Sequence, residues 1–204
     1  MKRLLAFLTA FVVTISLTSC GGPSPTDVTT AFFDGIKGLD ADTIESVCIV
    51  DDKDKKDEEL SVVDLYEDQQ MQEQLKKEPL NKMMDFDYKL SNEQIKDDKA
   101  TVDVTITTYD LAKPYKNLME KLIAIALESD EEMTDEEVTN KVMTLFGSEI
   151  SKLKEKGYEK TATIDLVKVD DQWKISGLEG NKNLMNGLTG GLIDLMEETD
   201  SMLD

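Results

Sequence analysis

The chain has no histidine in 204 residues, and that absence excludes a good deal. Ser-His-Asp and Cys-His catalysis need an imidazole base, and the commonest zinc sites need an imidazole ligand. Cysteine is almost as scarce, with only Cys20 and Cys48. Positive charge is short too: 23 Lys and Arg stand against 43 Asp and Glu, a formal charge of -20. Such a chain repels nucleic acid, which is bound by neutralising its phosphates.

The most informative stretch is the first. Lys2 and Arg3 precede an almost wholly apolar run from Leu4 to Leu17, interrupted by Thr9, Thr14 and Ser16. This is the layout of a secretory signal, and it is too short for a bilayer core needing about 20 apolar residues. Leu17-Thr18-Ser19-Cys20 follows. The pattern resembles the lipobox of bacterial lipoproteins. That resemblance implies a signal peptide over 1–19, a diacylglyceryl thioether on Cys20, and cleavage just before it. Two or more acyl chains give stable anchoring where one gives only reversible binding. The expected partner is therefore a lipid bilayer, reached through acylated Cys20 on the extracytoplasmic face of the cell membrane. Residues 20–26 form a short tether with a reach of about 20 Å at most. Removing Lys2 and Arg3 takes the formal charge from -20 to -22. Anionic head groups then push the domain away, and the acyl chains must do the holding. Cys48 is left without an internal disulfide partner and sits in an apolar helical pattern, which predicts a buried thiol.

The remainder, 27–204, reads as one α+β domain. Ser24-Pro25 opens a first helix with a capping hydroxyl and a proline at its first position. Val28, Ala31, Phe32, Gly35 and Ile36 recur along it at helical spacing, and Gly38 can end it. Asp40 can cap a second helix bearing Ile44, Val47 and Cys48. Residues 51–59 are a charged loop, and a third helical stretch runs from about Leu60 to Lys77, stopping near Pro79. The period then changes to two. Met84, Phe86, Tyr88 and Leu90 predict a half-buried strand, and Ala100, Val102, Val104, Ile106 and Thr108 a second. Ala162, Ile164 and Leu166 begin a third, where a switch of parity to Val167 and Val169 predicts a bulge near Leu166. Asp170-Asp171 makes a turn into a last strand carrying Trp173 and Ile175.

Two antiparallel hairpins of about four strands are thus split by a helical insertion over 114–156. Leu118, Met119, Leu122, Ile123 and Ala126 form the apolar side of its first half. The acidic run 128–132 breaks it. Thr134 and Glu137 form a capping box, and Gly157 ends the second half. Leu184, Met185, Leu188, Leu192, Leu195 and Met196 place a C-terminal helix across the sheet, though Gly187, Gly190 and Gly191 weaken it by about 1 kcal/mol each. Such glycines call for tertiary support or a close backbone approach.

Several segments then show a likeness. Pro25-Thr26-Asp27-Val28 through Phe32-Phe33-Asp34-Gly35-Ile36-Lys37 is similar to the first helix of nuclear transport factor 2-like lipoproteins. Lys99-Ala100-Thr101-Val102-Asp103-Val104-Thr105-Ile106 resembles their central strand, and Asp171-Gln172-Trp173-Lys174-Ile175 their last. Leu188-Thr189-Gly190-Gly191-Leu192 looks like a tail segment of their Gram-positive members. The likeness implies helices on a curved, cone-like antiparallel sheet whose mouth often holds a ligand. Tyr88, Asp103, Tyr109 and Trp173 are the candidate ligand-binding residues. By parity Asp103 faces water if the even positions of its strand face the core.

The expected role is a non-catalytic binding or interaction module, for an unidentified small ligand or envelope protein. It has no catalytic residue, metal or cofactor. The alternative is a small-molecule isomerase or hydrolase using a carboxylate in the cone. The acidic runs lack the alternating oxygen ligands and central glycine of a calcium loop. Of the ten methionines, Met83, Met84, Met119, Met143, Met185 and Met196 fall among apolar residues and are expected to be adaptable core filler.

Overall fold

The computed structural model describes residues 22–49, 69–128, 134–178 and 180–200. The leader, Cys20, the charged loop 51–59, the first part of the third helical stretch and most of the acidic run 128–132 lie outside the described residues.

Helix α1 spans Pro25–Gly38. Its start is a reciprocal cap: the Ser24 hydroxyl accepts from the Asp27 N–H at 3.1 Å, and the Asp27 carboxylate accepts from the Ser24 N–H at 2.9 Å. Leu39 ends it in the left-handed conformation, φ 54°. Val28, Phe32, Phe33 and Ile36 are buried along one side. Helix α2, Ala41–Val47, is capped by Asp40 and buries Ile44. Helix α3, Gln69–Leu75, leads to a 3-10 turn at Leu80–Met83. Met84 belongs to the exit of that turn and not to a strand.

Strands β1 (Asp87–Lys96) and β2 (Lys99–Thr108) form the first hairpin, and β3 (Tyr158–Val169) and β4 (Gln172–Ser176) the second. They make one antiparallel sheet in the order β1-β2-β3-β4. Every even residue of β2 from Ala100 to Thr108 is buried, which makes it the centre of the core. Each fully buried Val or Ile there contributes roughly 1.5–3 kcal/mol relative to exposure. The β3–β4 turn has positive φ at Asp170 (49°) and Asp171 (63°), the geometry a two-residue hairpin favours.

The insertion is an antiparallel pair, α4 (Ala112–Glu128) and α5 (Asp135–Ile150). Thr134 and Glu137 form the expected capping box. Leu80, Leu111 and Ile150, with Met83, Tyr109, Met143, Phe146 and Leu153, make a second apolar cluster at the base of the pair. Helices α6 (Lys182–Thr189) and α7 (Leu192–Asp200) close the described chain. Helices α1 and α6 share the main core with the even side chains of β2, so both cover the same face of the sheet. The other face presents Thr101, Asp103, Thr105, Thr107, Thr161 and Thr163 outward. The result is an α+β fold with its helices packed against an open four-stranded sheet. Among the described residues, no helix is long and apolar enough to cross a membrane.

Four local expectations need correction. No bulge occurs near Leu166, because the β2–β3 register runs unbroken from Lys99↔Val167 to Thr108↔Tyr158. Val167 and Val169 lie on the outer face, where β-branched side chains suit a strand without burial. The register shift lies in β1, between Ser91 and Gln94, where Asn92 adopts φ 53°. Helix α5 stops at Ile150, well before Gly157, and the chain is drawn back toward the sheet by Lys156. Its ammonium binds Asp85 at 2.7 Å and Asp87 at 2.9 Å. The C-terminal segment is two helices, broken at Gly190 (φ 58°) and Gly191 (φ 83°). Finally, the apolar side assigned to α4 is split: Leu118 is buried, while Met119 and Ile123 are exposed.

Candidate functional site

The structure does not bring the four residues singled out in the sequence together. Tyr88 lies on the inner face of β1 opposite Ile106. Its ring stacks on Phe33 at 5.0 Å and its hydroxyl donates to Asp34 Oδ1 at 2.7 Å. Burial, then the bonded Asp34 carboxylate, push that hydroxyl well above the usual tyrosine range. Asp103 points from the opposite face, as its parity in β2 requires. It accepts from Asn92 Nδ2 at 2.8 Å and Thr163 Oγ1 at 2.7 Å, and these bonds hold its carboxyl below the usual range. Tyr109 belongs to the second apolar cluster, with its hydroxyl 3.4 Å from Asp85 and the Lys82 ammonium 5.8 Å from its ring centre. Trp173 is half-buried on edge strand β4, beneath the Lys168 ammonium at 5.3 Å.

The space these residues would share is filled. Phe32, Phe33, Phe86 and Leu184 pack directly against Val102, Val104, Ile106, Ile164 and Leu166. The Phe32 and Phe33 rings meet edge to face at 5.2 Å. A carboxylate working as an acid beside a carbonyl needs a raised pKa. The described carboxylates that depart from their usual range, namely Asp40, Asp103, Glu137, Glu149 and Asp194, are all held below it by hydrogen bonds. Glu149 is the extreme case, at about 2, with Lys121 (2.5 Å), Lys152 (2.5 Å) and Asn117 (2.9 Å) all bonded to it. This pins α4 to α5. Burial pushes the Cys48 thiol up to about 12, against a small opposing pull from Lys174, so it is no nucleophile at neutral pH. Among the described residues, no group of three or more cysteine, aspartate or glutamate side chains is placed to hold a metal ion.

Among the described residues an open cleft lies elsewhere. A cleft of about 300 Å³ runs between the end of α1, the end of α3 and the 3-10 turn. Leu39, Leu75 and Met84 give it an apolar lining, and Lys37, Lys76 and Asp85 bring charge to it. Asn81 adds a polar group whose Oδ1 is buried and lacks a hydrogen-bond partner, although its Nδ2 donates to Glu78 at 3.0 Å. A buried acceptor without a donor costs about 1–3 kcal/mol. Sequence reasoning missed this cleft. Its residues span positions 37 to 85, and no motif connects them.

The sequence matches the family described as a domain of unknown function (DUF5105) over residues 38–189. No curated protein matches the chain. A solved structure with some similarity is that of ycdA from Bacillus subtilis, provisionally assigned as a lipoprotein. It is 15% identical with a TM-score of 0.40. The match covers 79% of the present chain and spans 58% of the length of that one.

Proposed function

The chain belongs to the DUF5105 family, matched over residues 38–189, and from that premise we propose that it is a lipid-anchored, extracytoplasmic lipoprotein acting as a non-catalytic binding module. One observation carries this reading: Leu17-Thr18-Ser19-Cys20 stands directly behind a basic start and an apolar run of secretory type. Cys20 is then the acylated residue and the bilayer its partner. The reading extends to an origin in a Gram-positive envelope and to a nuclear transport factor 2-like domain. Supporting the latter are helices on one face of a four-stranded antiparallel sheet, with a helical pair between the hairpins.

The filled inner side of the sheet and the lowered carboxylate pKa values favour binding over catalysis. In this reading a small ligand would sit in the cleft beside Asn81, with an apolar body over Leu39, Leu75 and Met84. The test of the anchor is Cys20→Ala in a bacterial host fed a labelled fatty acid. The parent chain should carry label and sediment with membranes, and the variant should carry no label and either leave the membranes or keep its leader uncut. Equal membrane association of the two, with no label on either, would refute the reading.

A further inference from the structure

Helix α4 is apolar on two sides. On one, Leu118 is buried and Asn117 and Lys121 reach across to Glu149 of α5. On the other flank, Met119, Ile123 and Leu127 follow one another at i, i+4 and i+8. Their exposure rises along the helix from 39% through 57% to 83%. Single exposed apolar side chains need no explanation, but a continuous stripe marks a contact surface. A helix apolar on both sides is one that expects a cover on both. The tie to α5 supplies one, and among the described residues Ile123 and Leu127 on the other flank stay exposed.

We propose that a second copy of the chain supplies the other, α4 lying antiparallel to α4 across a two-fold axis near Ile123. The stripe is self-complementary in that arrangement. Ile123 meets its own counterpart, and Met119 of each copy meets Leu127 of the other. The charges agree with this orientation. Exposed Lys113 and Lys116 lie in the first turns of α4. Antiparallel pairing sets the lysines of each helix beside the partially negative C-terminal end of the other. Parallel pairing would set lysine on lysine. The stripe is short, so the pair belongs to the weak class of interfaces. The net charge of -20 opposes it further, though physiological salt confines that repulsion to a range of about 8 Å. Confinement on one surface raises the effective concentration and favours the pair without any new contact.

The experiment uses the mature chain from residue 20 with Cys20→Ser, which keeps every described element. Cys48 is buried, so an introduced cysteine is the reactive thiol. Under mild oxidation Ile123→Cys should form a disulfide-linked dimer faster than Ile95→Cys, a control that is 55% exposed but off the stripe. A mixture of Met119→Cys and Leu127→Cys should cross-link to each other faster than either does to itself. In sedimentation at physiological salt, Ile123→Glu should raise the dimer dissociation constant about tenfold or more while leaving the circular dichroism unchanged. The proposal falls if Ile123→Cys links no faster than Ile95→Cys. It falls equally if the parent chain stays monomeric at every concentration reached, or if Ile123→Glu dimerises as well as the parent.

Discussion

Replacing Gly190 with alanine should unfold the chain more readily than any other glycine-to-alanine change outside the core, and the size of the effect can be worked out. Gly190 sits between α6 and α7 at φ 58°. An alanine forced into that left-handed conformation costs about 1 kcal/mol. Its Cβ would also lie 2.9 Å from the Leu111 nitrogen and nearer still to the Tyr109 carbonyl oxygen, both backbone atoms that no rotamer change can move. The C-terminal segment must then retreat. That breaks the 3.1 Å bond from the Leu111 N–H to the Gly190 carbonyl, worth about 1–3 kcal/mol where burial leaves the groups unpaired. Together the loss is roughly 2–4 kcal/mol, a large part of a domain stability of about 5–15 kcal/mol. Two further glycines separate the causes. Gly177 has φ +64° with nothing within 4 Å of a built Cβ, so Gly177→Ala isolates the conformational cost at about 1 kcal/mol. Gly157 has open space and no positive φ, so Gly157→Ala should be neutral or gain a few tenths of a kcal/mol. Urea unfolding followed by circular dichroism measures all three. If Gly190→Ala loses no more than Gly177→Ala, the close approach of the two backbones is not what holds α6 and α7 in place.

Two other outcomes follow from groups described above. Glu149→Gln should destabilise by roughly 1–2 kcal/mol at neutral pH, a modest figure because both lysine heads reach water. The Glu149 pKa is lowered from 4.5 to about 2, so its contribution is fully present above 4.5 and disappears as pH falls toward 2. The difference between parent and variant in urea should therefore close over that window, and a constant difference from pH 7 to pH 2 would contradict the bonding seen. Cys48, buried with its pKa near 12, should resist a disulfide-exchange reagent at pH 8 in the folded chain and react at once in urea. Rapid labelling without denaturant would show that Cys48 is not closed off beside β4.

Features set by near neighbours in the chain were legible. Ser24 with Asp27, and Thr134 with Glu137, are caps written within three residues. The alternation from Ala100 to Thr108 is a strand wherever one face is buried. What escaped was set by distant partners. After α5 ends, Lys156 meets Asp85 and Asp87, some 70 positions back. Val167 and Val169 imitate a change of parity because β-branched residues also suit an uncovered strand face, whereas the actual shift sits at Asn92, a residue tolerant of positive φ. Leu118–Met119 and Leu122–Ile123 are adjacent pairs, so a helical period alone merged two sides of α4 into one. Candidate binding residues chosen for aromatic or acidic character landed at separate places. The cleft is instead made where the ends of α1 and α3 meet the 3-10 turn, a property of tertiary placement and not of composition.

The irregularity in β1 has a further consequence. An outermost strand ten residues long would ordinarily offer a template for a neighbour's backbone, and molecules crowded side by side could zip into ribbons. The kink at Asn92 interrupts that template midway, since a straight incoming strand cannot keep step with both halves. At the opposite margin Ile49 already donates to the carbonyl of Ile175, so the place is taken. Copies of this domain can thus be packed densely without fusing into fibres.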